Sequence, residues 1–128
     1  MSDIQKKADK NAQETTNAER DLEAHVLTQA ARRLGESLQE WQENHDSGTE
    51  KLSEALRNNQ RLWTVFQSEL SSADNPLPLK MKEDLLNLSL FVDKRTFEMM
   101  ENPDPEKIKI LIDINMNIAA GLQGSGNT

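Results

Sequence analysis

The side chains in this sequence that could catalyse a reaction or bind a metal are few and far apart. The two histidines, His25 and His45, are twenty positions apart. Asp21 and His25 have the i, i+4 spacing of two metal ligands on one helix face, but a solvated ion pair is the commoner outcome of that spacing. The chain has no cysteine, which excludes disulfides, thiolate nucleophiles and cysteine zinc sites. We predict no catalytic, cofactor-binding or metal-binding residue.

Carboxylates are abundant, but their positions do not indicate acid–base catalysis. None of the 22 Asp and Glu residues falls inside a predicted apolar stripe, where burial would raise its pKa. The sequence also lacks a Gly-rich phosphate loop, a nucleophile elbow and EF-hand spacing. These patterns indicate a protein that is not an enzyme and that needs no cofactor.

The charge balance argues against nucleic acid as the partner. The net charge is −7 and the pI is about 4.8, whereas binding to nucleic acid depends on Lys and Arg neutralising phosphates. Trp63 and Phe66 lack the context of a base-stacking surface and are predicted to lie in the core. The longest apolar stretch, Leu85–Val92, is too short to span a membrane, and residues 1–17 have no apolar core of a signal peptide. We therefore expect a soluble, cytoplasmic protein.

Apolar periodicity predicts an all-α fold, a small bundle of about four helices. A chain of 128 residues supports one domain. Residues 1–15 are predicted to be a disordered tail, 16–122 the single helical domain, and 123–128 a short flexible tail. The helices are expected at about Asn17–Asn44 after a capping box at Thr16–Glu19, Thr49–Ser71 after a break at His45–Thr49, Leu79–Glu101, and Pro105–Ala120 with Gly121 as the stop.

Helices 1 and 2 carry one apolar stripe each. Two asparagines, Asn59 in helix 2 and Asn115 in helix 4, fall within apolar stripes, where an unpaired amide is costly to bury. Either they are hydrated at the edge of the stripe, or they hydrogen-bond across helices 2 and 4 and fix the register. The stripe of helix 1 consists of Leu22, Val26, Leu27, Ala30, Leu34, Leu38 and Trp41. The stripe of helix 2 consists of Leu52, Leu56, Asn59, Trp63, Phe66 and Leu70.

Helices 3 and 4 are apolar on two sides each, which is more than a small bundle needs. Either these helices form the centre of the bundle, or the second stripes form a groove for a partner helix. The second stripes oppose those needed for the core. The candidate partner-binding residues are Leu86, Leu90, Phe97, Ile110 and Ile114.

Three stretches resemble the signature blocks of the flagellar biosynthesis regulator FlaF family, in the same order and spacing. They are Ala55–Phe66, which contains Leu-Trp-Thr-Val-Phe, Asn75–Pro78, which is Asn-Pro-Leu-Pro, and Leu111–Leu122, which contains Ile-Asn-Met-Asn-Ile-Ala-Ala-Gly-Leu. The resemblance covers about Ala12 to Leu122. It implies a non-enzymatic regulator of flagellum biogenesis that acts on the production and export of flagellin, alongside the flagellin-translation regulator FlbT, by binding flagellin itself.

The resemblance and the residues together favour a cytoplasmic flagellin chaperone. An acidic bundle with spare apolar faces can shield the terminal segments of unassembled flagellin, which become amphipathic helices in the filament. The alternative is a post-transcriptional regulator that acts directly on flagellin mRNA, and a third option is a structural component of the flagellum. The sequence leaves open which flagellin segment is bound, whether the protein activates or represses, and whether it forms a homodimer.

Overall fold

The protein is an all-α bundle, as the sequence predicts. The computed structural model describes residues 3–124, and the side chains of residues 18–124. No strand occurs in residues 3–124, and no helix there is long and apolar enough to cross a membrane. The predicted tail of residues 1–15 and residues 125–128 lie outside the residues whose side chains are described. The helices are α1 (Asp3–Glu43), α2 (His45–Ser71), α3 (Leu79–Glu101) and α4 (Pro105–Gly124).

The helices are arranged around one core, in the order α4, α1, α2 and α3. α1 packs against both α4 and α2, and α2 also packs against α3, whereas the seam between α3 and α4 is the least extensive. The core stripe predicted for α2 is confirmed, since all six of its residues are buried. Trp63 is 1% exposed and packs in a tilted arrangement with Phe66, so it belongs to the core.

The turn between α1 and α2 is shorter than the sequence predicts. α2 begins at His45 and not near Thr49, because Asn44 is the N-cap: its side-chain Oδ1 accepts hydrogen bonds from Asp46 N at 3.0 Å and Ser47 N at 3.3 Å. Gly48 then lies in the first turn of α2, directly against α1. A Cβ at Gly48 would stand 2.6 Å from the backbone N of Trp41, so only glycine permits this one-residue reversal.

Two further boundary and burial predictions are wrong. Gly121 does not stop α4, which continues to Gly124, and no glycine in the described residues has the positive φ of a C′ cap. Leu22 and Val26 are exposed, because the buried side of α1 centres on Leu27, Ala31 and Leu34 and turns these two residues outward. Three further apolar residues, Trp41, Leu88 and Ile112, are half-buried and pack against the core.

A buried hydrogen-bond chain joins α2 to α4. The indole Nε1 of Trp63 donates to Asn115 Oδ1 at 2.9 Å, and Asn115 Nδ2 donates to Asn59 Oδ1 at 2.7 Å. Both asparagines are 0% exposed. The hypothesis that these two amides pair across helices 2 and 4 is confirmed. A buried polar contact with a single geometry penalises every other register of α4 against α2, because slipping the helix would leave these groups unpaired.

We expect opposite effects on stability from two Gly→Ala substitutions. Gly48→Ala forces the backbones of α1 and α2 apart and should lower the free energy of unfolding by about 1–3 kcal/mol. Gly121 lies inside α4 with nothing within 4 Å of an added Cβ, so Gly121→Ala should raise the free energy of unfolding by up to about 1 kcal/mol. Urea unfolding followed by circular dichroism measures both. Equal effects would contradict the close approach at Gly48.

Asn115→Ala should be among the costliest polar substitutions in α4. It leaves the Trp63 indole N–H and the Asn59 carbonyl oxygen buried without partners, and should lower the free energy of unfolding by about 2–4 kcal/mol. The exposed neighbour Asn117 serves as the matched control, since Asn117→Ala should change the free energy of unfolding by no more than about 0.5 kcal/mol. If both variants unfold at the same urea concentration, the buried chain does not stabilise the fold.

Candidate functional site

α3 presents larger apolar side chains to solvent than to the core. Leu90 is 64% exposed and Phe97 is 55% exposed, and Leu79 is exposed on the same side. We call Leu79, Leu86, Leu90 and Phe97 the outer stripe of α3; their spacings of 7, 4 and 7 residues place them on one side of the helix. A run of exposed leucine and phenylalanine on one helix is a mark of an interaction surface.

The opposite side of α3 is unusually polar for a surface that faces a core. Ser89 and Thr96 are fully buried there, beside Val92 and Met99. The Ser89 hydroxyl donates to the backbone oxygen of Leu86 at 2.6 Å, but the Thr96 hydroxyl has no hydrogen-bond partner within the described residues. α3 therefore buries two small hydroxyl residues and exposes large apolar ones, the reverse of what the folded monomer alone would favour.

The five predicted partner-binding residues differ in exposure. Leu90 and Phe97 are exposed, as is Ile110 on α4 at 44%. Leu86 is half-buried, and Ile114 is half-buried and packs against the core. Leu79, predicted only as the first residue of helix 3, extends the exposed set. Its distance of seven residues from Leu86 is the signal that could have identified it.

The structure places these residues in two sets. Gln67 Nε2 on α2 donates to Asp93 Oδ2 at 2.9 Å, so the side of α3 that holds Asp93 borders α2. Leu86, Leu90 and Phe97 stand 7, 3 and 4 residues from Asp93 and share that side.

On α4, Ile110 and Ile114 follow Lys107 by 3 and 7 residues. Lys107 lines a cavity together with Glu98 and Met99 of α3, so these isoleucines lie on the side of α4 that borders α3. The body of α3 therefore separates the isoleucines from the outer stripe.

A second feature is a cleft at the end of the bundle, beside the loop between α2 and α3. It has a volume of about 420 Å³. Asn75 holds the loop in place, since its Nδ2 donates to the backbone oxygen of Glu69 at 3.1 Å and its Oδ1 accepts from the N–H of Leu77 at 3.0 Å. We call this cavity the end cleft; its apolar lining residues are Leu77, Pro78, Met81, Leu85, Ile118 and Leu122, and Arg20, Asn117 and Gly121 complete it.

An acidic cluster adjoins the end cleft. A small cavity of about 30 Å³ is lined both by the cleft residues Leu77 and Leu122 and by Glu23 and Glu69. The pKa of Glu23 is raised from 4.5 to about 7, chiefly by burial, with smaller contributions from the hydrogen bond and negative charge of Glu69 and from Glu19, against the opposing effect of Arg20. Close to neutral pH, Glu23 is therefore protonated in part of the molecules.

The expectation that no carboxylate lies within an apolar stripe is wrong for Glu23. This residue precedes Leu27 by four positions and therefore continues the buried side of α1 toward the end cleft. That spacing is visible in the sequence and could have identified it. Among the described residues, no group of three or more His, Asp or Glu side chains is arranged to hold a metal ion.

Stability should fall as the pH rises through the pKa of Glu23. Because its folded pKa of about 7 lies above its ordinary value of 4.5, the folded state holds the extra proton between these values, so stability falls from about pH 4.5 to pH 7 and stays lower above it. Glu23→Gln removes this effect and should stabilise the protein more at about pH 8 than at pH 5. Thermal melts across this range measure it, with the exposed Glu54→Gln as control; parallel profiles for Glu23→Gln and wild type would contradict it.

Comparison with known proteins identifies the family. Residues 5–122 match the family model described as flagellar protein FlaF. No curated protein matches the chain, and no solved structure does. Because the match covers most of the chain, the protein belongs to the FlaF family.

Proposed function

Starting from a chain that is a FlaF protein, we propose that it binds unassembled flagellin in the cytoplasm and supports its controlled synthesis and export, without catalysing a reaction. The observation that carries this proposal is the outer stripe of α3. Leu90 and Phe97 are more than half exposed in the folded monomer, and they lie seven residues apart, which is the repeat of a helix-binding surface. A partner helix that covers them would bury apolar area on both surfaces.

The type of partner follows from the chemistry of the stripe. An amphipathic helix pairs with such a surface through residues at i, i+3, i+4 and i+7. The terminal segments of unassembled flagellin, which become amphipathic helices only in the filament, fit this description. The net charge of −7 supports a holding role, because it keeps a complex with exposed apolar segments soluble.

The predicted binding residues are retained in this proposal with different roles. Leu86, Leu90 and Phe97 make the main contact with the flagellin helix, and Leu79 extends it toward the loop. Ile110 and Ile114 lie on the other side of α3, where only a longer flagellin segment would contact them. A further proposed partner is an FlbT-type regulator. The complex of this protein with flagellin would bring that regulator to the site of flagellin synthesis.

The alternative function, direct binding to flagellin mRNA, has less support. The basic residues are outnumbered by 22 acidic residues to 15, and the described salt bridges pair Lys51, Lys80, Arg95 and Lys109 with neighbouring carboxylates. RNA binding of this kind would need a free basic surface and would weaken steeply with salt. A titration with flagellin mRNA at two salt concentrations distinguishes the two functions.

The double variant Leu90→Glu/Phe97→Glu tests the proposal directly. Both side chains are exposed in the monomer, so the variant should keep its helicity and cooperative unfolding, while the two charges become buried only in a complex. We expect copurification with tagged flagellin to be lost, and to be lost as well for wild type when the terminal segments of flagellin are removed.

Val65→Glu is the matched control, since Val65 is an exposed apolar residue on α2 outside the outer stripe. It should leave flagellin binding unchanged. A folded double variant that still binds flagellin would refute the site. Sedimentation of the free chain tests the remaining alternative, that the stripe is the interface of a homodimer. In that case the wild type sediments as a dimer and the double variant as a monomer.

A further inference from the structure

We propose that the end cleft is a second docking site, separate from the outer stripe of α3, for a peptide segment that carries a large apolar side chain and a lysine or arginine about one helical turn away. The apolar side chain enters the cleft, and the cation lies against the acidic cluster of Glu19, Glu23, Glu69 and Asp74. This goes beyond flagellin binding by α3 and does not depend on it.

The shape of the cleft fits an apolar anchor. Its volume of about 420 Å³ exceeds that of one leucine or phenylalanine side chain, and its lining is largely apolar. Met81 is 46% exposed at its mouth, although it continues the side of α3 that faces the core. Met81 is a flexible, polarizable side chain, of the kind that adapts to an inserted partner. The Asn75 hydrogen bonds hold the loop that contributes Leu77 to the lining, so this wall of the cleft is in place before a partner binds.

The charges beside the cleft select the second feature of the partner. A groove of about 430 Å³ next to it is lined by Glu19, Glu23, Glu69 and Asp74, together with Leu22, Ser72, Asn75 and Pro76. Burial is the main reason that Glu23 is held partly protonated, and repulsion from Glu69 and Glu19 adds to it, against the attraction of Arg20. A cation from a partner relieves this repulsion and makes charge-assisted hydrogen bonds at the rim. The occupant that matches is therefore basic as well as apolar.

The chain itself offers no described occupant for the cleft. Residues 125–128 have the sequence Ser-Gly-Asn-Thr, which contains neither an apolar anchor nor a cation. Arg20 lines the cleft and acts on Glu23 from α1, while Glu69 faces it from α2 and Asp74 from the loop. The residues that α3 and α4 contribute to the lining are uncharged, so the acidic field comes from α1, α2 and the loop.

The experiment uses the full chain and synthetic helical peptides on an alanine and glutamine background. The first peptide carries Leu at position i and Lys at i+4; the others replace Lys by Gln or Leu by Gln. We expect the Leu/Lys peptide to bind about tenfold or more tightly than either control, as measured by isothermal titration calorimetry. Amide chemical shifts should change at Leu77, Gly121 and Leu122. Affinity should rise with pH through about 7, because binding favours ionised Glu23, and Glu23→Gln should remove this rise.

Two variants separate this proposal from the function proposed for α3. Met81→Glu places a charge at the exposed mouth of the cleft and should abolish peptide binding while the protein stays folded, whereas Leu90→Glu should leave peptide binding unchanged and weaken flagellin binding. The proposal is overturned if the Lys→Gln peptide binds equally well, if the shifts map to the outer stripe, or if no saturable binding occurs up to millimolar peptide. It is also overturned if sedimentation shows that the wild-type chain is a dimer and that Met81→Glu dissociates it, because a second copy of the chain then covers the cleft.

Discussion

The hydrogen-bond chain from Trp63 through Asn115 to Asn59 is the constraint on which the arrangement of the bundle depends. Apolar stripes alone permit two helices to slide by a turn with little change in buried area, but three polar groups in a dry core do not. With α2 and α4 held in one register, α1 packs against both and contributes Leu27 and Leu34 to the same core. The amino group of Asn59 has no acceptor among the described residues, a cost that the packed core has to outweigh.

α3 stands apart from this core of three helices. It packs on α2 and meets α4 over a smaller seam, and it places Ser89 and Thr96 inward while Leu90 and Phe97 face solvent. A helix built in this way contributes less burial free energy to the monomer than its composition allows. The same distribution makes α3 the element with most to gain from a partner. This distribution of polar and apolar side chains is the observation on which the proposed binding surface of α3 rests.

The helix stripes were predictable because the helical repeat places i, i+4 and i+7 on one side whatever surrounds it. This is why all six predicted core residues of α2, from Leu52 to Leu70, are buried. The predicted apolar stripe of α1 is wider than the buried side of the helix. Leu22 and Val26 fit the apolar half of the helix, but the two neighbouring helices cover a narrower sector centred on Leu27. The predicted turn between α1 and α2 is wrong because Asn44, and not Ser47, caps α2. In sequence, Gly48 is typical of a loop, whereas in the structure it lies in α2 and contacts the backbone of α1.

Sequence alone determined the helix content, the stripe of α2, the position of two asparagines within apolar stripes and the resemblance to the FlaF family, since each depends on local spacing or on motifs along the chain. Whether the two asparagines pair was decided only by the tertiary structure. Only the tertiary structure decided which of the two stripes of α3 faces outward and that the outer stripe and the α4 isoleucines lie on two sides of α3. It also brought Glu23 beside Glu69 at the end cleft, with the pKa of Glu23 raised to about 7. The physical reason is that burial and electrostatics depend on which helices become neighbours, and residues 46 positions apart acquire a shared environment only when the chain has folded.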